Sequence, residues 1–372
     1  MKLSQLLDSK RLIICCGSGG VGKTTTAAAI AVQAALQGKR AVVLTIDPAR
    51  RLANSLGLSE LDHEAKQIPQ KSFESFDLNP KGKLFALMLD TKRTFDKIIE
   101  RYSPSEESKQ NILNNSLYQH LSGMIAGSQE YMAMEKVYEL FQNENYDLLV
   151  LDTPPTQHAL DFLDAPQKMI HAVSDSMLKW FLKPSLFVGR TSLKFLEKGM
   201  RRVLKVFDNV TGYEFLQDLS AMLISTAGLL EGFRDRAEEV STLLKNDQTV
   251  FLLVTAPQNM VLSEALYFHE KILEYQLPFG GFIVNRVHQD QGLQGKWTAL
   301  QEALKTSDLS DKQREGLSSI LNSYRNLVDQ DRKQLKILEE RVKKKELLTL
   351  VPHLDSDVHD LGGLSELGRY LE

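Results

Sequence analysis

The sequence predicts an α/β protein with a doubly wound, mostly parallel sheet and an inserted helical subdomain. Three observations carry this. Short apolar runs recur between helical stretches, and their hydrophobicity is continuous rather than alternating, which suits strands buried on both faces. Strand and helix patterns alternate along most of the chain, the rhythm that builds parallel sheets. The first apolar run also ends in a glycine-rich loop that opens directly into a helix.

Taken in order, the first strand is Leu12 to Cys16, followed by the loop and a helix from Thr25 to Leu36. Further strands are read at Ala41 to Ile46, Leu84 to Leu89, Leu148 to Leu151, Val250 to Val254, Gly281 to Val284 and Leu347 to Val351. Two stretches break the rhythm with helix alone, Thr91 to Gln142 and Gln167 to Leu244. The expected organisation is therefore a core of 1–90, 143–166 and 245–372, with a helical subdomain of 91–142 and 167–244. Ser310 to Lys345, rich in Lys, Arg, Glu, Gln and Leu, reads as a long surface helix leading into the last strand.

Composition bounds the classes. The 372 residues exceed the usual single core and accommodate one large domain with an insertion. Hydrophobic residues at 42% and charged residues at 25% argue against disorder and against a membrane-embedded protein. A net charge of -3 draws no polyanion, so no nucleic-acid partner is expected. The only cysteines, Cys15 and Cys16, are neighbours on one strand, point to opposite faces and cannot both ligate one metal; they read as buried thiols. Without a disulfide framework, a signal-like N-terminus or a run of 18 apolar residues, the expected location is cytoplasmic.

The loop Gly17-Ser18-Gly19-Gly20-Val21-Gly22-Lys23-Thr24 matches G-x-x-x-x-G-K-[ST] between a strand and a helix. Its glycines let backbone N–H groups turn inward around a phosphate, Lys23 supplies a point charge to the β and γ phosphates, and the Thr24 hydroxyl can ligate Mg²⁺. Together with Thr25, these residues form the expected nucleotide site. Asp152 ends a buried strand and is the expected metal-side acid, acting through water. Asp47 ends another strand and is read, with Lys23, as catalytic, orienting the attacking water. A strand-end aspartate is often only a helix cap, yet here three strands deliver Gly-Lys-Thr, Asp and Asp to one edge. GTPases of this fold carry Asn-Lys-x-Asp after a late strand, whereas this chain has Asn285-Arg286-Val287-His288. The missing acid favours adenine, with Asn285, Arg286 and Pro352 as the expected base site and ATP with Mg²⁺ as the expected ligands.

These residues resemble the arsenite-pump ATPase (ArsA) family, which includes the targeting ATPase for tail-anchored membrane proteins. Asp47-Pro48-Ala49-Arg50-Arg51-Leu52 is similar to the family's switch I, and Asp152-Thr153-Pro154-Pro155-Thr156-Gln157-His158 to its switch II. Asn285 and Val351-Pro352-His353 extend the likeness. The resemblance implies a homodimer that holds two ATPs near its interface and opens and closes as they are hydrolysed, with the helical subdomain presenting a hydrophobic client surface. Two departures stand out. Ser18 occupies the place of a lysine that in the family reaches the partner's ATP, so Arg50 or Arg51 is expected to supply that charge, unless the interface itself differs. No Cys-x-x-Cys pair or cysteine triad exists, so neither zinc nor a thiolate arsenite site is expected.

Within the inserted segment, Leu193, Leu196, Met200, Val203, Leu204 and Phe207 form one helical stripe. Arg190, Lys194, Lys198, Arg201, Arg202 and Lys205 face a single acid, Glu197. The stripe suits burial inside the subdomain, or a hydrophobic client helix or membrane protein; the basic helix 190–207 also suits peripheral contact with an anionic membrane surface. Two other function classes stay open: a surface-positioning ATPase resembling MinD and ParA, and a nucleotide-gated scaffold with little turnover.

Overall fold

The computed structural model describes residues 2–46, 51–115, 118–119, 128–155, 164, 230–290, 296–343, 346–354 and 356–372. The strands are β1 (Leu12–Cys16), β2 (Arg40–Thr45), β3 (Lys66–Gln67), β4 (Lys83–Met88), β5 (Leu148–Asp152), β6 (Thr249–Thr255), β7 (Phe279–Val287) and β8 (Leu347–Pro352). The helices are α1 (Leu3–Ser9), α2 (Lys23–Leu36), α3 (Arg51–Ser55), α4 (Gln70–Glu74), α5 (Thr91–Tyr102), α6 (Glu106–Leu113), α7 (Ser128–Gln142), α8 (Leu230–Lys245), α9 (Asn259–Glu274), α10 (Trp297–Lys305), α11 (Asp311–Arg341) and α12 (Leu361–Leu371).

The strands form one eight-stranded sheet in the order β3-β4-β2-β5-β1-β6-β7-β8. β2, β5, β1, β6, β7 and β8 pair in parallel. β3 runs antiparallel to its neighbour β4, at the sheet edge. Each of the expected strands is present. β3 is an addition: its two residues, Lys66 and Gln67, are exposed and carry no apolar signal. Every residue of β1, β5 and β6 is buried, which is why those strands read as unbroken apolar runs.

One face of the sheet presents Ile13, Cys15, Val43, Val150 and Leu252 to the alanine-rich α2, with leucines of α1 and α12 completing the core. α2 shows little amphipathic contrast because it is covered nearly all round. Small residues make this close packing possible. At Gly368 of α12 an added Cβ would lie 2.2 Å from Gln33 Nε2, the group that donates to Ser365 O at 3.1 Å.

The chain divides into two compact units, Met1–Leu87 with Asn143–Ala159 and Asp247–Glu372, and Met88–Gln142 with Leu160–Asn246. In the second unit, α7 and α8 are joined by an ion pair between Glu135 Oε1 and Arg236 Nε at 2.7 Å, with side chains only 5% and 7% exposed. The Arg236 guanidinium also lies 3.7 Å over the Tyr138 ring. Burial of a pair in this way demands such multiple partners, because either charge alone would be costly. Residues 230–244 of the long helical stretch read from sequence fall in α8; 167–229, including the basic helix 190–207, lie outside the described residues.

Candidate active site

β1 stands at the point where the strand order reverses, with β5 and β2 on one side and β6 and β7 on the other. In doubly wound sheets this is where the C-terminal strand edge leaves a ligand crevice. The glycine loop leaves β1 at that edge. Gly17 has φ +154°, and a Cβ there would lie 2.0 Å from Val254 O of β6. Gly22, with φ +94°, is the N-cap of α2, and a Cβ there would lie 2.4 Å from Asn285 Nδ2. The loop can therefore pass this close to β6 and β7 only as glycine.

Lys23 is buried, and its Nζ donates to Ser18 O at 2.8 Å, so the ammonium curls over its own loop. Thr24 Oγ1 donates to Asp152 Oδ2 at 2.7 Å. Thr45 Oγ1, at the end of β2, donates to the same oxygen at 2.9 Å. Asp152 is 1% exposed, so these hydroxyls hold a buried carboxylate at the mouth of the loop. A hydroxyl and a carboxylate side by side are the hard oxygen donors that suit Mg²⁺, and the site fits that ion. Thr153 Oγ1 donates to Cys15 O at 2.9 Å and ties the start of the second switch sequence back to β1.

Ser18 is also buried, and its Oγ donates to Glu264 Oε2 of α9 at 2.6 Å. The residue at the departure from the family pattern thus bonds a carboxylate of its own chain. Arg51, at the start of α3, is exposed and lines the cavity described next. Asp47, Arg50 and Thr156 to His158 lie outside the described residues.

Asn285 Nδ2 donates to Val21 O at 2.9 Å, and Asn285 Oδ1 accepts from Arg286 N at 2.9 Å. One N–H and one lone pair of its amide are therefore engaged, on the phosphate loop and on the next residue. Beside it is a cavity of about 430 Å³ lined by Gly22, Thr25, Asn285, Arg286, Pro352 and His353, among others. This volume lies in the ordinary range for small-molecule sites. The residues read as a base site are gathered here next to the N-terminus of α2.

Cys15 and Cys16 are fully buried on β1. Burial lifts the Cys15 thiol well above its ordinary value and pushes Cys16 up to about 12, so both are held as neutral thiols. Sequence reasoning missed Thr45 and Glu264. Thr45 stands one residue inside the end of the strand read from sequence and meets Asp152 only through the sheet register, whereas Glu264 lies 246 positions from its partner and had no local signal.

A central parallel strand, a glycine loop, a buried lysine and a threonine bonded to a strand-end aspartate define a P-loop nucleoside triphosphatase. More narrowly, the chain belongs to the ArsA-type anion-transporting ATPase family, whose model matches residues 10–351. It is 27% identical over 310 residues to a protein named as an arsenical pump-driving ATPase of Aquifex aeolicus (strain VF5), covering 78% of this chain and 69% of that one. It is 26% identical over 291 residues to ATPase get3 of Schizosaccharomyces japonicus, covering 77% and 78% of the two chains. The chain is accordingly a P-loop ATPase, converting ATP and water to ADP and phosphate.

Proposed function

We propose that ATP hydrolysis at this loop drives the opening and closing of a homodimer that captures, targets or energises transport of a hydrophobic or membrane-associated partner. The observation that carries the site is the convergence of Lys23, Thr24 and Asp152 beside the 430 Å³ cavity. Membership of the ATPase family and the likeness to ATPase get3 support the energy-driven role, while the dimer and client are what the resemblance in the switch sequences implies. Lys23 exchanges the Ser18 carbonyl for β and γ phosphate oxygens. Backbone N–H groups of Gly19 to Thr24 surround the phosphates, and Thr25 continues the N-terminus of α2 beneath them. Thr24 and, through water, Asp152 would hold Mg²⁺. That ion neutralises charge on the phosphates when bound. Asp47 orients the attacking water, and Asn285, Arg286 and Pro352 border the adenine.

Ser18 brings no cation across a dimer interface, so Arg50 or Arg51 supplies charge to the nucleotide in this reading. Arsenite capture by thiolates is left out of it, because both cysteines are buried and neutral. Zinc is left out because the sequence has no Cys-x-x-Cys pair. Among the described residues no helix is long and apolar enough to cross a membrane, which is compatible with a partner that is itself the membrane component.

Steady-state phosphate release from Mg²⁺ and ATP tests the site. Lys23→Ala is expected to lower turnover by roughly 100-fold while leaving the far-UV spectrum unchanged, since it removes charge that develops its value in the transition state. Wild-type turnover in that variant would overturn the assignment.

A further inference from the structure

One corner of the base cavity is built differently from the rest. His353 lines the cavity immediately after Pro352, and its backbone N–H is fixed by Val287 O at 2.9 Å. The His353 ring lies on the His288 ring with centroids 5.5 Å apart and planes inclined by 18°, a parallel stack. His288 is itself held from behind. Its ring Nδ1 is 2.8 Å from Asp331 Oδ2, and its backbone N–H donates to the same oxygen at 2.8 Å. A carboxylate accepts only, so Nδ1 carries the proton in that bond and the ring orientation is set. Asp331 is one of the few buried residues of α11, with 6% exposure, and the Tyr324 ring meets His288 edge-on at 6.0 Å.

The result is a flat aromatic surface at the cavity wall, backed by a second ring and a buried acid. His288 lies offset beside one face of His353, while the residue as a whole remains exposed. Asn285, by contrast, spends one amide N–H on Val21 O and one oxygen lone pair on Arg286 N. We infer that His353 is the platform on which the nucleotide base stacks, with His288 and Asp331 as positioning residues behind it. This rests on the proposed ATP site and adds how the base is held there: by ring overlap, which favours a purine over a pyrimidine and does not depend on the Asn285 amide. It also places a residue of α11, Asp331, in control of nucleotide affinity.

The test is calorimetric titration of the full chain with MgATP and MgCTP, paired with turnover measurements. His353→Ala is expected to weaken ATP binding about tenfold, within what one aromatic–base stack provides. KM rises by the same factor with kcat nearly unchanged, and the preference for ATP over CTP narrows. His353→Phe restores ATP binding to within about threefold of wild type, because the ring face survives. Asp331→Asn weakens binding about threefold at an unchanged unfolding temperature. ATP binding by His353→Ala as tight as wild type, or His353→Phe as weak as His353→Ala, overturns the inference. Lys23→Ala, titrated alongside, separates the two levels. If it binds MgATP as wild type does, the phosphate site falls and the platform with it; if it loses binding while His353→Ala does not, the platform alone is wrong.

Discussion

Gly22 shows how tightly single residues are specified at the site. It combines a φ of +94° with a space in which a methyl would come 2.4 Å from Asn285 Nδ2. Gly22→Ala must therefore adopt strained backbone and also push Asn285 away from Val21 O. The expected cost is about 1–3 kcal/mol of folding stability, read by urea denaturation, together with weakened ATP binding. A variant with the wild-type midpoint and affinity would show that the close approach does not matter. At this scale the sequence was informative where chemistry demands fixed spacing: Lys23 and Thr24 stand in a motif, and Asp152 ends an unmistakable strand. It was silent on Glu264 and Asp331, mid-helix residues brought to Ser18 and His288 only by the tertiary fold. It was silent too on the bond from Asn285 to Val21 O, because no local rule says which neighbour an amide will choose.

Elements are placed by their backbones but registered by a few side chains. Asp147, just before β5, accepts from Arg40 N, Nε and Nη2, at 2.8, 3.1 and 2.7 Å, and so sets the start of β2 beside the start of β5. Those hydrogen bonds hold the Asp147 carboxyl below its ordinary range. A depressed folded pKa contributes stability that is present above the unfolded value, about 3.9, and lost as pH falls through the folded one. Asp147→Asn should thus melt below wild type at neutral pH, and the gap in melting temperature should narrow as pH falls below the unfolded value of about 3.9. A gap independent of pH would rule out this origin. Strands were legible because burial on both faces leaves continuous apolar runs. α12 gave no comparable signal. It contains Gly362, Gly363 and Gly368, poor helix formers, and is held by the Asp360 cap on Gly363 N and by packing on α2.

For the whole molecule, the proposed dimer makes a demand that neither unit meets alone. If two chains close around nucleotide, light scattering after gel filtration should show a larger dimer fraction with Mg²⁺ and a slowly hydrolysed ATP analogue than with ADP. Crosslinking to an apolar helical peptide should then follow the same nucleotide dependence. Equal dimer fractions and equal crosslinking in both states would remove the coupling from the proposal. The strand rhythm is interrupted in sequence at 91–142 and 167–244, and the apolar stripe from Leu193 to Phe207 that suits a client lies outside the described residues. The buried cysteine pair gives a practical way to watch such motion. Cys15 and Cys16 are inaccessible on β1 and protonated at any ordinary labelling pH, so the folded chain is in effect thiol-silent. A cysteine introduced at an exposed site such as Ile320 of α11 would be the only one to take a maleimide dye, and distance changes could be followed without first stripping the protein of its native thiols.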